Sequence, residues 1–497
     1  MSDLPKFNAY INGVSVPPST NTYFETVNPY TSTAWAQVAR CDADDANYAI
    51  EAAYDAFTTG DWPTLSATQR GALLRKLGDL IAENADELAE CEVRDNGKLI
   101  SEMSPQCHYI PQWYYYFGGL ADKIEGSVLP IDKPEIFNYT RHEPLGVVVA
   151  ITPWNSPLML LTFKLAPALA AGNTVVIKPS EYTSTSTLRF VDLFAEAGFP
   201  PGVVNVVTGF GAEVGAALVE HPKTAKVAFT GGSESGARVY QAAAAGLKKC
   251  TLELGGKSPN IIFDDADLDD AVKGAISGIF AATGQTCIAG SRLLVQNNIH
   301  DEFVAKLIDF AATAKMGDPM LGETQVGPVT TPPQFKKILE YIQVAKDEGA
   351  EVLLGGNPAV GTPECGDSKY FIEPTIFGGV TNNMRIAQEE VFGPVLSIIR
   401  FDDEDEAIAI ANDIAFGLAA GVWTQSINRA IKISNAIRAG TVWVNTYRAV
   451  SFMSPFGGYK QSGLGRENGI EAIREYLQTK SVWISTATDV PNPFVMR

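Results

Sequence analysis

The feature that most constrains this chain is a regular alternation beginning at Gly146. Val147-Val148-Val149-Ala150-Ile151 is a short apolar run, followed by a helical stretch to Ala171. Thr174-Val175-Val176-Ile177 comes next, then a helix near Thr185 to Ala197. Val203-Val204-Asn205-Val206-Val207 precedes a helix near Ala212 to Glu220, and Lys226-Val227-Ala228-Phe229 one near Glu234 to Ala245. Cys250-Thr251-Leu252-Glu253-Leu254 closes the series. Short apolar strands alternating with helices imply a parallel sheet covered on both faces. Such sheets bind ligands beyond the carboxyl ends of their strands. Polar residues collect at those ends here. Trp154 and Asn155 follow the first strand, Lys178-Pro179-Ser180-Glu181 the second, Thr230-Gly231-Gly232-Ser233 the fourth, and Glu253 ends the fifth. After Asp264-Asp265-Ala266-Asp267 the pattern restarts, giving a second α/β unit from about 260 to 460 without a low-complexity linker between them.

Ahead of the alternation, Asn12-Gly13 is a hairpin turn signal within short strands over 7–39. Asp42 is placed to cap a helix running to Thr58, and Ser66-Ala67-Thr68-Gln69 has capping-box form. The aromatics Tyr109, Trp113, Tyr114, Tyr115, Tyr116 and Phe117 are dense enough for core plus one exposed face, or a pocket wall.

Composition narrows the partners. A formal net charge of −19 argues against nucleic acid or an anionic membrane. The most apolar region, Leu145 to Gly172, is interrupted by Pro153, Asn155, Pro157, Lys164 and Pro167, which makes it a poor membrane span. Met1-Ser2-Asp3-Leu4-Pro5 does not read as a signal peptide. The six cysteines are scattered without CxxC spacing, so neither a disulfide framework nor a zinc site is expected, and the cytoplasm is the default compartment.

One cysteine stands apart. Gly284-Gln285-Thr286-Cys287-Ile288-Ala289-Gly290 sets Cys287 among small and polar residues. Such a turn presents either a packed thiol or a nucleophile whose own N–H faces the same ligand atom. A nucleophilic thiol needs a base or an electropositive setting. With four histidines in the chain, a carboxylate such as Glu253 is the better base, since burial at an apolar strand end raises its pKa. The Asn155 amide, between two prolines, is a fixed-looking oxyanion donor.

A cofactor is less directly written. Gly209-Phe210-Gly211-Ala212-Glu213-Val214-Gly215 and Gly231-Gly232-Ser233-Glu234-Ser235-Gly236 both miss the spacing of the dinucleotide fingerprint. The second nevertheless follows a strand and opens a helix, where backbone N–H groups face phosphate. Lys178 and Glu181 are spaced to grip the two hydroxyls of a ribose, and a carboxylate there repels a 2′-phosphate, favouring NAD over NADP.

Taken together, Pro153-Trp154-Asn155, Lys178-Pro179-Ser180-Glu181, Phe229-Thr230-Gly231, Leu252-Glu253-Leu254-Gly255-Gly256-Lys257, Gly284-Gln285-Thr286-Cys287, Glu390-Val391-Phe392-Gly393-Pro394 and Pro455-Phe456-Gly457-Gly458 resemble the signatures of the NAD(P)-dependent aldehyde dehydrogenase superfamily, in the family's order and over nearly the whole chain. The resemblance implies an α/β fold: a Rossmann-type NAD domain (1–121 and 145–255), an α/β catalytic domain (256–470) and a small β oligomerisation arm (122–144 and 471–497) that builds a homodimer or homotetramer. It implies Cys287 as nucleophile, Glu253 as general base, Asn155 with the Cys287 N–H as oxyanion hole, and Glu467 as a second acid on a proton path. Trp154, Lys178, Ser180, Glu181, Gly211, Gly231, Ser233, Leu254, Glu390 and Phe392 would hold NAD, and no metal is expected. Tyr109, Trp113, Ser156, Thr286, Ile288, Arg448 and Phe456 resemble the family's substrate tunnel. Arg448 is placed to meet a distal carboxylate, which favours a semialdehyde over a simple aldehyde. The alternatives are a CoA-acylating relative, disfavoured by the presence of Glu253, and a non-catalytic binding or structural protein on the same fold, disfavoured by the intact Cys287, Glu253 and Asn155.

Overall fold

The computed structural model describes residues 4–489, 492 and 494; residues 1–3 and, from the expected arm, 490, 491, 493 and 495–497 lie outside the described residues. The alternation folds as its pattern demands. Strands Val147–Ile151, Thr174–Lys178, Val204–Val206, Thr224–Thr230 and Lys249–Glu253 form the parallel centre of an eight-stranded sheet. The first three are buried along their whole length, which explains why they read as continuous apolar runs. The hairpin Ala9–Ile11 and Val14–Val16 adds one antiparallel edge, turning through Asn12 and Gly13 with φ of 56° and 81°. Gly463–Leu464 pairs antiparallel with Lys249–Glu253 and closes the other edge.

The strand order decides where a ligand fits. From Val147–Ile151 the chain builds outward through Thr174–Lys178 to Val204–Val206, then returns to the opposite side with Thr224–Thr230 and Lys249–Glu253. The crevice at this reversal opens at the carboxyl ends of Val147–Ile151 and Thr224–Thr230. Helix Pro157–Ala171 starts beside it, and among its residues only Met159 is less than fully buried, because it is packed on every side.

The expected helices form with local adjustments. The 185–197 stretch is two short helices, Thr185–Phe190 and Asp192–Ala197. The one expected near Ala212 begins as a π-helical turn, Gly211–Gly215, before continuing as Ala216–Glu220. Asp42 and Ser66 cap their helices in reciprocal boxes with Asp45 and Gln69.

A second, seven-stranded sheet takes the residues after Gly255. Its strands run in the order Glu351–Leu354, Thr375–Gly378, Val395–Phe401, Arg292–Gln296, Pro259–Ile262, Ala419–Trp423 and Thr441–Val444, parallel except for the first. A separate two-stranded ribbon pairs Ile136–Pro144 with Leu477–Ser485. It exposes Phe137, Trp483 and Ile484, and Val128 and Leu129 are exposed nearby in sequence.

Candidate active site

A cavity of about 630 Å³ lies at the strand ends of the first sheet and reaches the second. Trp154, Asn155, Lys178, Ser180, Glu181, Gly211, Gly231, Glu253, Leu254, Cys287, Glu390 and Phe392 all line it. Residues far apart in the chain are thus delivered to one wall by the ends of five strands and two loops.

The outer half has the makings of a dinucleotide cradle. The Lys178 ammonium is buried, 3.7 Å from Glu181 and bonded to the Pro179 carbonyl at 3.0 Å. Burial lowers its pKa, and Glu181 opposes that. Helix Ser233–Ala245 starts at the rim without a side-chain cap, so its first N–H groups are open to an anion. The Ser233 hydroxyl is buried there without a protein partner. Deeper in, the Glu390 carboxylate accepts from the Gly256 N–H at 2.9 Å, and burial raises its pKa. It lies so close to Gly255 that a Cβ there would sit 2.5 Å from Glu390 Oε2. Phe392, at φ 60°, meets the Trp154 ring edge-on at 5.3 Å between centroids. An orphaned hydroxyl beside an uncapped helix start, with carboxylates positioned for two riboses, fits a dinucleotide.

Cys287 stands at the inner end. The turn before it is held in an unusual conformation: Ala282, Thr283 and Gly284 all have left-handed φ, of 55°, 52° and 67°. Non-glycine residues resist that region, so the surroundings must hold them there. Glu102 Oε1 accepts the Ala282 N–H at 2.7 Å, and Thr283 is bonded to Gly327 at 3.2 Å. Gln285 is bonded to Pro328 and Thr330. Gly284 is obligatory: a Cβ would fall 2.0 Å from the Gly393 carbonyl oxygen. The Asn155 amide donates to the Gln285 carbonyl at 3.0 Å, which leaves its second hydrogen free to point at a ligand.

The electrostatics are those of a resting thiol. Burial, with Glu390 and Glu253 facing the sulfur, pushes the Cys287 pKa up to about 12; its own N–H and the Lys98 ammonium work the other way. Glu253 is buried with both carboxylate oxygens unpartnered in the protein. Burial and the neighbouring Glu467 raise its pKa well above the usual carboxylate range, while Lys164 and Arg466 oppose the rise. Behind it, Lys164 is ion-paired with Glu467 in full burial and donates to Thr230 Oγ1 at 2.5 Å. Glu467 therefore sits next to Glu253 and off the cavity wall.

None of the residues of the expected substrate tunnel lines that cavity. Trp113, Ile288 and Phe456 belong to one apolar cluster, against which Cys287 packs together with Met159 and Phe452. Trp113 is wholly buried, stacked on Phe163 at 5.2 Å and bonded to Asn468 at 2.7 Å; Tyr109, partly exposed, meets it edge-on at 5.0 Å. Thr286 is half-buried beside Cys287. Ser156 is buried and accepts from the Lys98 ammonium at 3.0 Å. Arg448 is partly exposed at φ 64°, 3.9 Å from Glu102. Sequence reasoning missed Phe163, Phe452, Glu102, Lys98 and Glu92. For Phe163 a signal existed, since Met159 and Phe163 are one helical turn apart at the start of Pro157–Ala171.

Fold and site together define a class: an α/β oxidoreductase with a cysteine at the inner end of a dinucleotide-sized cleft. Residues 16–482 match the model of the aldehyde dehydrogenase family, and the chain belongs to that family. It is 46% identical over 497 residues to a (Z)-2-((N-methylformamido)methylene)-5-hydroxybutyrolactone dehydrogenase of Acinetobacter baylyi, covering 99% of this chain and 100% of that one. It is 48% identical to aldehyde dehydrogenase 1A1 of Gallus gallus, over 93% of this chain and 90% of that one. Among solved structures, the NAD+ complex of an aldehyde dehydrogenase from Bacillus cereus superposes with a TM-score of 0.94 at 44% identity, covering 97% of each chain. A betaine aldehyde dehydrogenase from Staphylococcus aureus in complex with NAD+ gives 0.96 at 41% identity, over 98% of this chain and 96% of that one.

Proposed function

We propose that this protein oxidises an aldehyde to the carboxylic acid with NAD, through a thioester on Cys287. The observation that carries the reading is the meeting of Cys287, Glu253 and Asn155 at one end of a cavity whose other end is built for a dinucleotide. Lys178, Ser180 and Glu181 would hold the adenosine ribose, Gly211, Gly231 and Ser233 the diphosphate, and Trp154, Leu254, Glu390 and Phe392 the nicotinamide end. The Glu181 carboxylate disfavours the 2′-phosphate of NADP.

The chain's own residues then account for the chemistry. Once deprotonated, the Cys287 sulfur adds to the aldehyde carbon, and the carbonyl oxygen becomes an oxyanion facing the Asn155 amide and the Cys287 N–H. The chemistry that NAD supplies when bound is that of a two-electron oxidant taking a hydride, which leaves an acyl thioester on the sulfur. Glu253 takes a proton from a water as its oxygen attacks the thioester carbon. The C–S bond breaks, the acid leaves and the thiolate returns. The Lys164–Glu467 pair beside Glu253 is placed to receive its proton. Glu253 at the cysteine favours this hydrolytic outcome over transfer to CoA.

The apolar cluster around Cys287 favours an aldehyde with an apolar or planar body. Arg448 supports a distal carboxylate, with Glu102 as its competitor for the guanidinium. The chain would divide into a cofactor unit (1–121, 145–255), a catalytic unit (256–470) and an arm (122–144, 471–497), a reading supported by the two large sheets, although strand Gly463–Leu464 pairs with the first. The ribbon's exposed apolar residues support a homodimer or homotetramer, and six free cysteines support a reducing compartment such as the cytoplasm. Among the described residues no helix is long and apolar enough to cross a membrane.

The deciding experiment is NADH formation across a panel of neutral and anionic aldehydes, with NADP and CoA controls. Cys287→Ala should abolish turnover and leave NAD binding intact; retained oxidation refutes the nucleophile. Arg448→Ala should raise KM for anionic aldehydes alone. Equal KM values for both classes remove the semialdehyde preference.

A further inference from the structure

The Asn155 amide is anchored on one side and leans on a strained turn on the other. Its own side is helix Pro157–Ala171, whose start is pinned from outside. Glu92 Oε1 accepts the Leu158 N–H at 2.8 Å, and the Lys98 ammonium donates to Ser156 Oγ at 3.0 Å. On the other side the amide donates to the Gln285 carbonyl at 3.0 Å.

Where that carbonyl lies depends on the left-handed turn ahead of it. The Gln285 N–H closes the turn on the Ala282 carbonyl at 2.9 Å, and the Thr283 N–H donates to the Phe280 carbonyl at 3.0 Å. Ala282 and Thr283 are not glycines, so this backbone persists only where it is held. Ala282 is buried, and the acceptor for its own N–H comes from a distant element. It is Glu102 Oε1, at 2.7 Å, in the first turn of helix Ile100–Tyr109. A bond to a carboxylate is charge-assisted, and a buried N–H left without an acceptor is costly. Three hydrogen bonds therefore run in series, joining Glu102 to Ala282, Ala282 to Gln285 and Gln285 to Asn155. Glu102 has one other charged neighbour, Arg448, whose Nη1 is 3.9 Å from the same oxygen. That is longer than a hydrogen bond, so Ala282 is the closer hold on the carboxylate.

We propose that Glu102 is a positioning residue for the reaction: by holding the Ala282 N–H it keeps the Gln285 carbonyl where it orients the Asn155 amide toward the oxygen of an aldehyde on Cys287. This rests on the reading of Cys287 as nucleophile and Asn155 as oxyanion donor. Glu102 acts by reach, as an acceptor at a fixed distance, rather than by charge. It does not line the cavity, so its loss leaves the NAD site as it is.

Three substitutions separate reach from charge. Glu102→Gln keeps an acceptor at the same distance and loses the charge. Glu102→Asp keeps the charge and falls one methylene short, and Glu102→Ala loses both. With NAD saturating, kcat should stay within about twofold in Glu102→Gln and fall about tenfold in the other two, a part of the 10²–10³ that a whole oxyanion donor supplies. NAD affinity should match the wild type in all three, which also establishes that each is folded. In an Asn155→Ala background, Glu102→Ala should lower kcat no further, because the group it orients is gone. A general structural defect would multiply the two losses, and that result overturns the proposal. So does a loss in Glu102→Gln equal to that in Glu102→Ala, which makes the charge facing Arg448 the agent. Full activity in folded Glu102→Ala overturns it too, as does full activity in Glu102→Asp if Glu102→Ala does not fold. Wild-type turnover in Asn155→Ala or Cys287→Ala removes the underlying reading of the site instead, so the two failures are distinguishable.

Discussion

At the scale of single residues, the site is a set of charges held where water would not leave them. Glu253 is the clearest case, with two unpartnered oxygens in the interior. Its folded pKa is raised above the unfolded value, so the fold favours the protonated acid. The stability this lends is complete below the ordinary glutamate range, roughly pH 4, and is lost as pH rises through the folded pKa. Glu253→Gln should therefore gain stability relative to the wild type as pH rises, by on the order of 1 kcal/mol. Melting curves of the cofactor-free proteins at mildly acidic and alkaline pH check this, and a difference that narrows with pH counts against it. The same variant should form the acyl-enzyme and hydrolyse it slowly, by a factor of about 10²–10⁴, so that thioester accumulates in a quenched sample. Glu253 itself was legible in the sequence, as an acid ending an apolar strand. Lys98, Glu92 and Glu102 were not. In the sequence they are ordinary charged residues on an amphipathic helical stretch, and only the closure of that stretch over helix Pro157–Ala171 buries Lys98 and Glu92.

Among elements, the parallel strands were the most readable because burial on both faces makes their centres nearly continuous apolar runs, with Asn205 and Lys226 as buried exceptions. Their carboxyl ends were readable for the opposite reason, as the places where polarity resumes. The turn ahead of Cys287 was readable only in part. Gly284 marks it, but nothing in Ala282-Thr283 announces a left-handed backbone; tertiary bonds from Glu102 and Gly327 impose it. Gly284 also touches the Gly393–Pro394 backbone, so the loop bearing Cys287 and the loop bearing Glu390 share one contact. Gly284→Ala should destabilise the protein by roughly 2–4 kcal/mol, combining left-handed strain with a backbone clash. The denaturant midpoint measures the stability, and NAD affinity should fall along with turnover. Loss of turnover with NAD affinity intact would mean that the two loops move independently.

At the scale of the whole molecule, the sequence disclosed two α/β units and left their stitching hidden. Gly463–Leu464 is two residues long, too short to be read as a strand, yet it covers the edge of the first sheet. The ribbon joins Leu477 to Pro144 and Ser485 to Ile136, pairings that no local pattern encodes. A chain ending after residue 459 should lose both and precipitate or stay bound to chaperones on expression, whereas the full chain should remain in the supernatant; fractionation of the two products decides. The order of synthesis gives that edge a further meaning. The strand carrying Glu253 leaves the ribosome some 200 residues before the strand that shields it (at roughly 5–20 residues per second, an interval of about 10–40 seconds). Throughout that time its unpaired N–H and C=O groups face solvent, open to any other extended chain. Glu253 is thus carried on the segment that most needs an escort during translation, and a stalled ribosome releases a seed for aggregation in place of a shorter, folded chain.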